Sequence, residues 1–180
     1  MVARQVDVST GRARIDLVAN EPWLDDDEQK AWRSYLLMRR TLETHLSRHL
    51  QREFGLSESD FEILVNLSES ETGRMRAFEL GEATQWEKSR MSHHLSRMEK
   101  RGLIRKEACD ARYPEIVLTD EGRAAIEACA PAHAGRVREF FVDVLGKDRM
   151  SELGKAADDV IAAVEEHAQT TCPPDVRGFC

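Results

Sequence analysis

A mostly α-helical fold with one small β-hairpin is what this 180-residue sequence predicts. Three observations predict it. Apolar residues recur at spacings of three and four in the long stretches before residue 55 and after residue 119. Between them only two short runs have strand character, Leu103-Ile104 and Ile116-Val117-Leu118, joined by polar and charged residues. Capping residues and glycines punctuate the helical stretches. With 41% hydrophobic and 33% charged residues, the composition suits a soluble domain, and a chain of this length can bury a core without disulfides.

Residues 1–24 are polar, contain Gly11 and Pro22, and read as an N-terminal arm. From Glu28 to about Phe54, the stripe Tyr35, Met38, Leu42, Leu46 and Leu50 marks one long helix that Gly55 ends. Ser57 is its successor's N-cap, with Asp60 three residues on. Phe61, Leu64, Val65 and Leu67 make that helix short and buried, and Gly73 breaks it. A third helix over residues 76–83 turns Phe78, Leu80 and Ala83 inward. Thr84, Gln85 and Trp86 form a short connection to a fourth, which ends at Gly102.

Two short strands with the polar run RKEACDARY between them then form the hairpin. Thr119 caps a further helix, with Asp120 and Glu121 in its first turn. Pro131 must kink or interrupt that helix. After Gly146 a last helix carries Met150, Leu153, Ala157, Val160, Ile161 and Val164. These terminal helices hold more apolar surface than the chain can cover alone, so a second copy is expected against them. Residues 170–180, TTCPPDVRGFC, form a loose tail.

The fourth helix, within EKSRMSHHLSRMEKRGL at residues 87–103, is anomalous in charge. The whole chain carries Lys+Arg 26 against Asp+Glu 33, a net −7. Residues 85–113 hold eight Lys/Arg and four Asp/Glu, a net +4, which leaves −11 on the remainder. At 100° per residue, Met91, Leu95 and Met98 fall within about 60° and form the buried stripe, with His94 at its edge. Ser89, Arg90, His93, Ser96, Arg97 and Lys100 lie opposite. Hydroxyl, imidazole, guanidinium and ammonium groups on one face suit phosphates and base edges. A short helix, a tight turn, a basic amphipathic helix and a basic hairpin together make a winged helix-turn-helix.

At this point the sequence resembles the MarR family of bacterial transcriptional regulators. L-G-E-A resembles the end of the first helix of the helix-turn-helix, and K-S-R-M-S-H-H-L-S-R-M-E-K-R-G-L-I the recognition helix and its exit. Asp110-Ala-Arg112 and V-L-T-D-E-G, ending at Gly122, resemble the wing signature and the start of the next helix. The resemblance covers roughly residues 28–168. Glu87 stands where the family has a Ser, Thr or Asp cap, and Tyr113-Pro114 places a proline in the return strand, which predicts a shortened wing.

The resemblance implies a homodimer on double-stranded DNA with a pseudo-palindromic operator, a repressor released by a small-molecule effector. It divides the chain into an arm (1–24), a helical dimerisation region (25–54 and 120–169), the winged helix-turn-helix domain (55–119) and a flexible tail (170–180). Ser89, Arg90 and His93 are then assigned to base edges, with Ser92 flanking. Lys88 and Arg97 are assigned to phosphates and Arg112 to the minor groove. A ligand pocket is implied between the first long helix and the DNA-binding lobe, with Trp32, Tyr35 and His45 as its candidates.

No cofactor and no metal is expected. His45 and His49 have a metal-compatible i, i+4 spacing, but nothing nearby completes a ligand set. Cys109, Cys129, Cys172 and Cys180 form no C-x-x-C pair and read as reduced thiols. Cys109 or Cys129 gives the alternative, a thiol-based redox-sensing repressor. A cysteine-dependent enzyme is the reading from another class. No glycine-rich loop, nucleophile elbow or paired-carboxylate motif supports it, so the chain is not expected to be an enzyme. No run of about 18 apolar residues spans a membrane. The N-terminus lacks a signal peptide's apolar core, so a cytoplasmic location is expected.

Overall fold

Reciprocal bonds start the first helix. Asp25 donates its N–H to Glu28 Oε2 at 2.8 Å, and Glu28 donates its own to Asp25 Oδ1 at 2.8 Å. A computed structural model describes residues 23–110 and 113–171, without the side chains of Cys109, Asp110, Tyr113 and Thr171. Most of the expected arm, residues 172–180 of the expected tail and Arg112 lie outside the described residues, and residues 170–171 of that tail continue the last helix.

Helix α1 (Asp26–Phe54) is followed by α2 (Glu58–Glu69), strand β1 (Arg74–Arg76), α3 (Ala77–Thr84), α4 (Lys88–Lys100), β2 (Ile104–Asp110), β3 (Tyr113–Leu118) and α5 (Asp120–Val137). A five-residue π-helical turn, Arg138–Val142, leads into α6 (Asp143–Thr171). The chain forms two compact units that divide between Arg39 and Arg40, within α1. In the N-terminal unit the Trp32 and Tyr35 rings stack at 5.5 Å.

The second unit holds the core. Leu50 and Leu56 meet Ile63, Leu64 and Leu67 of α2, Leu80 of α3 and Met91, Leu95 and Met98 of α4. The strands add Leu103, Ile104, Ile116 and Leu118, and α5 adds Ile126 and Cys129. Ser57 and Asp60 cap α2 reciprocally, as their spacing predicts. Gly102 closes α4 at φ 75°, and the bonds from Gly102 N–H to Glu99 O and from Leu103 N–H to Met98 O are those of a Schellman cap.

Five expectations need correction. Phe78 is 45% exposed and Ala83 is exposed, so Leu80 and Thr84 form the inner face of α3. The sheet has three antiparallel strands in the order β1-β3-β2, not two. Arg74, Met75 and Arg76 pair with Val117, Ile116 and Glu115, and no apolar alternation announces such a short charged strand. The run from Arg105 to Asp110 is strand rather than loop. Its backbone pairs with β3, so ladder bonds hold a run that has no apolar face of its own. Pro114 therefore does not shorten the wing. It sits opposite Ala108, and β1 reaches only to Glu115, so β3 is paired on one side alone at the proline.

Pro131 likewise does not interrupt α5, which runs through it on an exposed position. The irregular turn comes later, at Arg138–Val142. Gly146, at φ 72° and ψ 171°, breaks the helical path within α6 where the last helix was expected to begin.

Candidate nucleic-acid interface

The turn between α3 and α4 is set by Gln85 in the left-handed conformation, φ 54° and ψ 34°. Trp86 N–H donates to Gly81 O at 3.1 Å and fixes the entry to α4. Glu87 occupies the N-cap without a side-chain cap bond, and the first turn of α4 contains no acidic residue. The positive end of the helix dipole favours an anion there, with Glu87 at the cap the one carboxylate of the segment opposing it.

Met91, His94, Leu95 and Met98 are buried along one side of α4. Lys88, Ser89, Arg90, Ser92, His93 and Arg97 are exposed on the other. The structure thus brings together six of the seven residues assigned to DNA, and the seventh, Arg112, lies outside the described residues.

Two of the exposed arginines are held from beneath. The Arg90 guanidinium lies 4.0 Å above the centre of the Trp86 ring. Trp86 is 9% exposed. Burial raises the Glu62 carboxyl above its usual range, the Arg90 charge working against it. Arg97 Nη2 lies 2.8 Å from His94 Nδ1. His94 Nε2 faces Asp60 Oδ1 at 3.1 Å, without the alignment of a full hydrogen bond.

Asp60 anchors the assembly and is 3% exposed. Its Oδ2 accepts from Arg101 Nη1 at 2.6 Å and from Ser57 N–H at 2.9 Å. Burial alone would raise the Asp60 carboxyl. The bonds with Ser57 and the Arg101 guanidinium together outweigh it and hold the group below its ordinary range. The sequence reading placed Asp60 as a helix cap and His94 as packing. That one carboxylate also serves two residues of the basic segment depends on a fold that brings positions 60 and 101 together.

The wing is tied to itself and to α4. Arg74 bridges Glu107 at 2.6 Å and Glu115 at 2.7 Å, and Arg105 Nε donates to Glu107 at 2.7 Å. Lys106 Nζ donates to Ser96 Oγ at 2.9 Å and lies 3.4 Å from Glu99, whose carboxylate also accepts the Lys106 N–H. Lys106 thus braces the hairpin against the helix, while Arg105 pairs within its own strand.

A family model described as a domain of unknown function, DUF7343, matches residues 57–109. The crystal structure of AbsC, a MarR family transcriptional regulator from Streptomyces coelicolor, superposes with a TM-score of 0.77 at 43% identity, covering 81% of this chain and 99% of that one. The chain belongs to the MarR family of transcriptional regulators. Sco3205, a MarR family regulator from the same organism solved in complex with DNA, gives 0.76 at 36% identity over 86% of this chain and 97% of its own. The HTH-type transcriptional repressor YetL of Bacillus subtilis is 28% identical over 115 residues, 57% of this chain and 69% of its own. The fold class and family read from the basic segment are therefore those of the protein.

In this MarR regulator the candidate effector residues are divided between the two units. Trp32 and Tyr35 are 52% and 45% exposed, and the His45 ring meets Phe140 edge-on at 4.5 Å. One surface hollow is lined by Asp26, Gln29, Lys30, Arg33, Ser34 and Leu37, and another by residues between Ser47 and Ser59. Neither takes in those three residues. Among the described residues no cluster of three or more His, Cys, Asp or Glu is arranged to hold a metal ion. Cys129 is fully buried, and burial pushes its thiol up, away from the reactive thiolate.

A buried histidine, His94, and a half-buried one, His133, give the fold a pH dependence. Burial lowers His94, with Arg97 and Arg90 adding to the effect and Asp60 opposing it. Burial also lowers His133, whose ring packs 4.4 Å from Phe61, with Glu58 opposing and His49 adding. An unfolded histidine takes up its proton near pH 6.5, whereas these resist until lower pH. The unfolded state therefore binds more protons below about pH 6.5, and stability falls as the medium is acidified. Thermal melting at constant ionic strength should give a lower Tm at pH 5.5 than at pH 7.5, with a smaller drop in His133→Gln. An equal or higher Tm at pH 5.5 contradicts this account.

Proposed function

We propose that this MarR regulator represses transcription as a homodimer on a pseudo-palindromic DNA operator. The observation that carries the reading is the exposed face of α4, a donor-rich surface on a helix whose opposite face is locked into the core. Ser89, Arg90 and His93, flanked by Ser92, read base edges, Lys88 and Arg97 take phosphates, and Arg112 in the wing enters the minor groove.

The dimer follows from apolar side chains on the C-terminal elements. Val144, Val160, Ile161 and Val164 are 62%, 63%, 54% and 62% exposed, more than an isolated chain would leave in water along one region. A second copy covers them and sets two α4 helices toward successive major grooves. The protein acts by regulation rather than catalysis. It works in the cytoplasm and responds to a small-molecule effector for which Trp32, Tyr35 and His45 are the candidate contacts. Among the described residues no helix is long and apolar enough to cross a membrane.

The test is selection of bound duplexes from random DNA, followed by salt titration of the selected and scrambled duplexes. The selected sites should be inverted repeats. Arg90→Ala or His93→Ala should weaken the selected duplex by about 1–3 kcal/mol per half-site and relax preference at particular base pairs. Arg112→Ala should weaken both duplexes alike and make the salt dependence shallower by about one unit per lost phosphate contact. Equal losses on both duplexes for Arg90→Ala and His93→Ala would remove α4 as the reading element.

A further inference from the structure

We propose that His94, though buried and out of reach of DNA, is a positioning residue for DNA binding, because its neutral ring holds Arg97 in place on the exposed face of α4. The inference rests on the DNA-binding reading above and adds a residue that it does not contain.

The tautomer follows from the partners. A guanidinium has only donors, so the nitrogen that receives Arg97 must be the acceptor. Arg97 Nη2 lies 2.8 Å from Nδ1, which places the single ring proton on Nε2, toward Asp60 Oδ1 at 3.1 Å. The ring is 5% exposed and meets Trp86 edge-on at 5.3 Å. The charged groups that act on it are Asp60 from α2 and Arg90 and Arg97 from its own helix. Two cations beside a buried imidazole, and only one carboxylate already engaged by Arg101, favour the neutral ring.

Arg97 uses one of its nitrogens on His94 and is otherwise exposed. A guanidinium fixed in this way keeps donors directed outward and loses less side-chain freedom when it meets a phosphate. A protonated or oppositely tautomerised His94 would present an N–H to Arg97 and lose the acceptor. Trp86 and His94 thus form one ring pair beneath α4, with Arg90 on the indole face and Arg97 on the imidazole nitrogen.

The experiment compares full-length wild type, His94→Asn, His94→Leu, Arg97→Ala and His94→Leu/Arg97→Ala on the duplex that wild type selects from random DNA. Asn keeps an acceptor near the Nδ1 position, and Leu removes it. His94→Leu should weaken binding about tenfold on a two-half-site duplex, and Arg97→Ala at least as much. His94→Asn should stay within about threefold of wild type, because one acceptor is restored. The double variant should bind no worse than Arg97→Ala, because the two residues act as one unit.

Losses that add in the double variant, or equal losses for Asn and Leu, overturn the role while leaving the DNA-binding reading intact. Failure of wild type to select any duplex overturns that reading and this role with it. A measurement on wild type alone guards against variants that fold poorly. Long-range ¹⁵N–¹H correlation of the His94 ring at pH 7.5 should show a protonated Nε2 and an unprotonated Nδ1. A proton on Nδ1 overturns the proposal.

Discussion

Gly122→Ala is expected to destabilise the fold by about 3 kcal/mol or more, enough to deplete folded protein. A Cβ at this position would stand 2.0 Å from Leu103 O and 2.9 Å from Leu118 Cδ1. Ordinary overpacking costs about 1–3 kcal/mol because side chains yield. Here the obstacle is backbone that cannot withdraw. Leu103 O accepts the Thr119 N–H at 3.4 Å, Thr119 Oγ1 donates to Gly102 O at 2.6 Å, and the same hydroxyl accepts the Gly122 N–H at 3.0 Å. The cap of α5 and the start of β2 are therefore one structure, and Gly122 is where they touch. Gly135→Ala in the same helix is the control. Nothing lies within 4 Å of its added Cβ, so it should gain about 0.5–1 kcal/mol from propensity alone. Urea unfolding at a fixed protein concentration gives both values. A loss under 1 kcal/mol for Gly122→Ala would mean that the two backbones can part.

Gly122 also shows what the sequence could and could not disclose. It was legible as part of a motif after the hairpin, but its reason, a contact with Leu103, spans 19 positions and exists only once the sheet has formed. Local signals were legible throughout. The Ser57 and Thr119 caps, the stripe of Met91, Leu95 and Met98 and the exposed set from Lys88 to Arg97 are all properties of single helices, and the structure places them as read. The failures share a cause. β1 is three residues with two arginines, recruited as strand because β3 offers it a paired edge. Phe78 reads as core by type, yet the third helix turns Leu80 and Thr84 inward instead. His94 reads as packing by its angle on the helix, which is right about burial and silent about Asp60 and Arg97.

The anchoring of the basic helix is built from charge as much as from apolar contact. Met91, Leu95 and Met98 fix its depth, but apolar contacts tolerate small rotations about the helix axis. Directional bonds restrict them. Arg101 at its C-terminal end reaches Asp60 Oδ2 and, through Nη2, Gly55 O at 2.8 Å. Ser96 and Glu99 hold Lys106 of the wing. An acidic protein thus carries its basic surface on a helix fixed at one end to α2 and along one side to the hairpin.

Asp60→Ala should cost about 3 kcal/mol and weaken DNA binding beyond what the loss of stability explains. Three separate consequences sum to that figure. The Ser57 N–H loses its partner in the capping box, at about 1 kcal/mol. Arg101, whose side chain is 43% exposed, loses a charge-assisted bond but can turn to water, so about 1 kcal/mol is appropriate there. His94 Nε2 loses the carboxylate that it faces without full hydrogen-bond alignment, at up to about 1 kcal/mol. Ser57→Ala removes only the hydroxyl that caps the Asp60 N–H and should cost about 1 kcal/mol. Arg101→Ala should fall between the two, since it leaves a buried carboxylate that Ser57 and His94 still face. The double variant Asp60→Ala/Arg101→Ala should cost less than the sum of the singles, because the second change removes a partner already deprived of its bond. Urea unfolding of the four variants at equal concentration measures the order, and binding to the selected duplex at low temperature, where all remain folded, measures the rest. If Asp60→Ala costs no more than Ser57→Ala and binds DNA as wild type does, Asp60 is a helix cap and nothing else, and α4 is held by its apolar face alone.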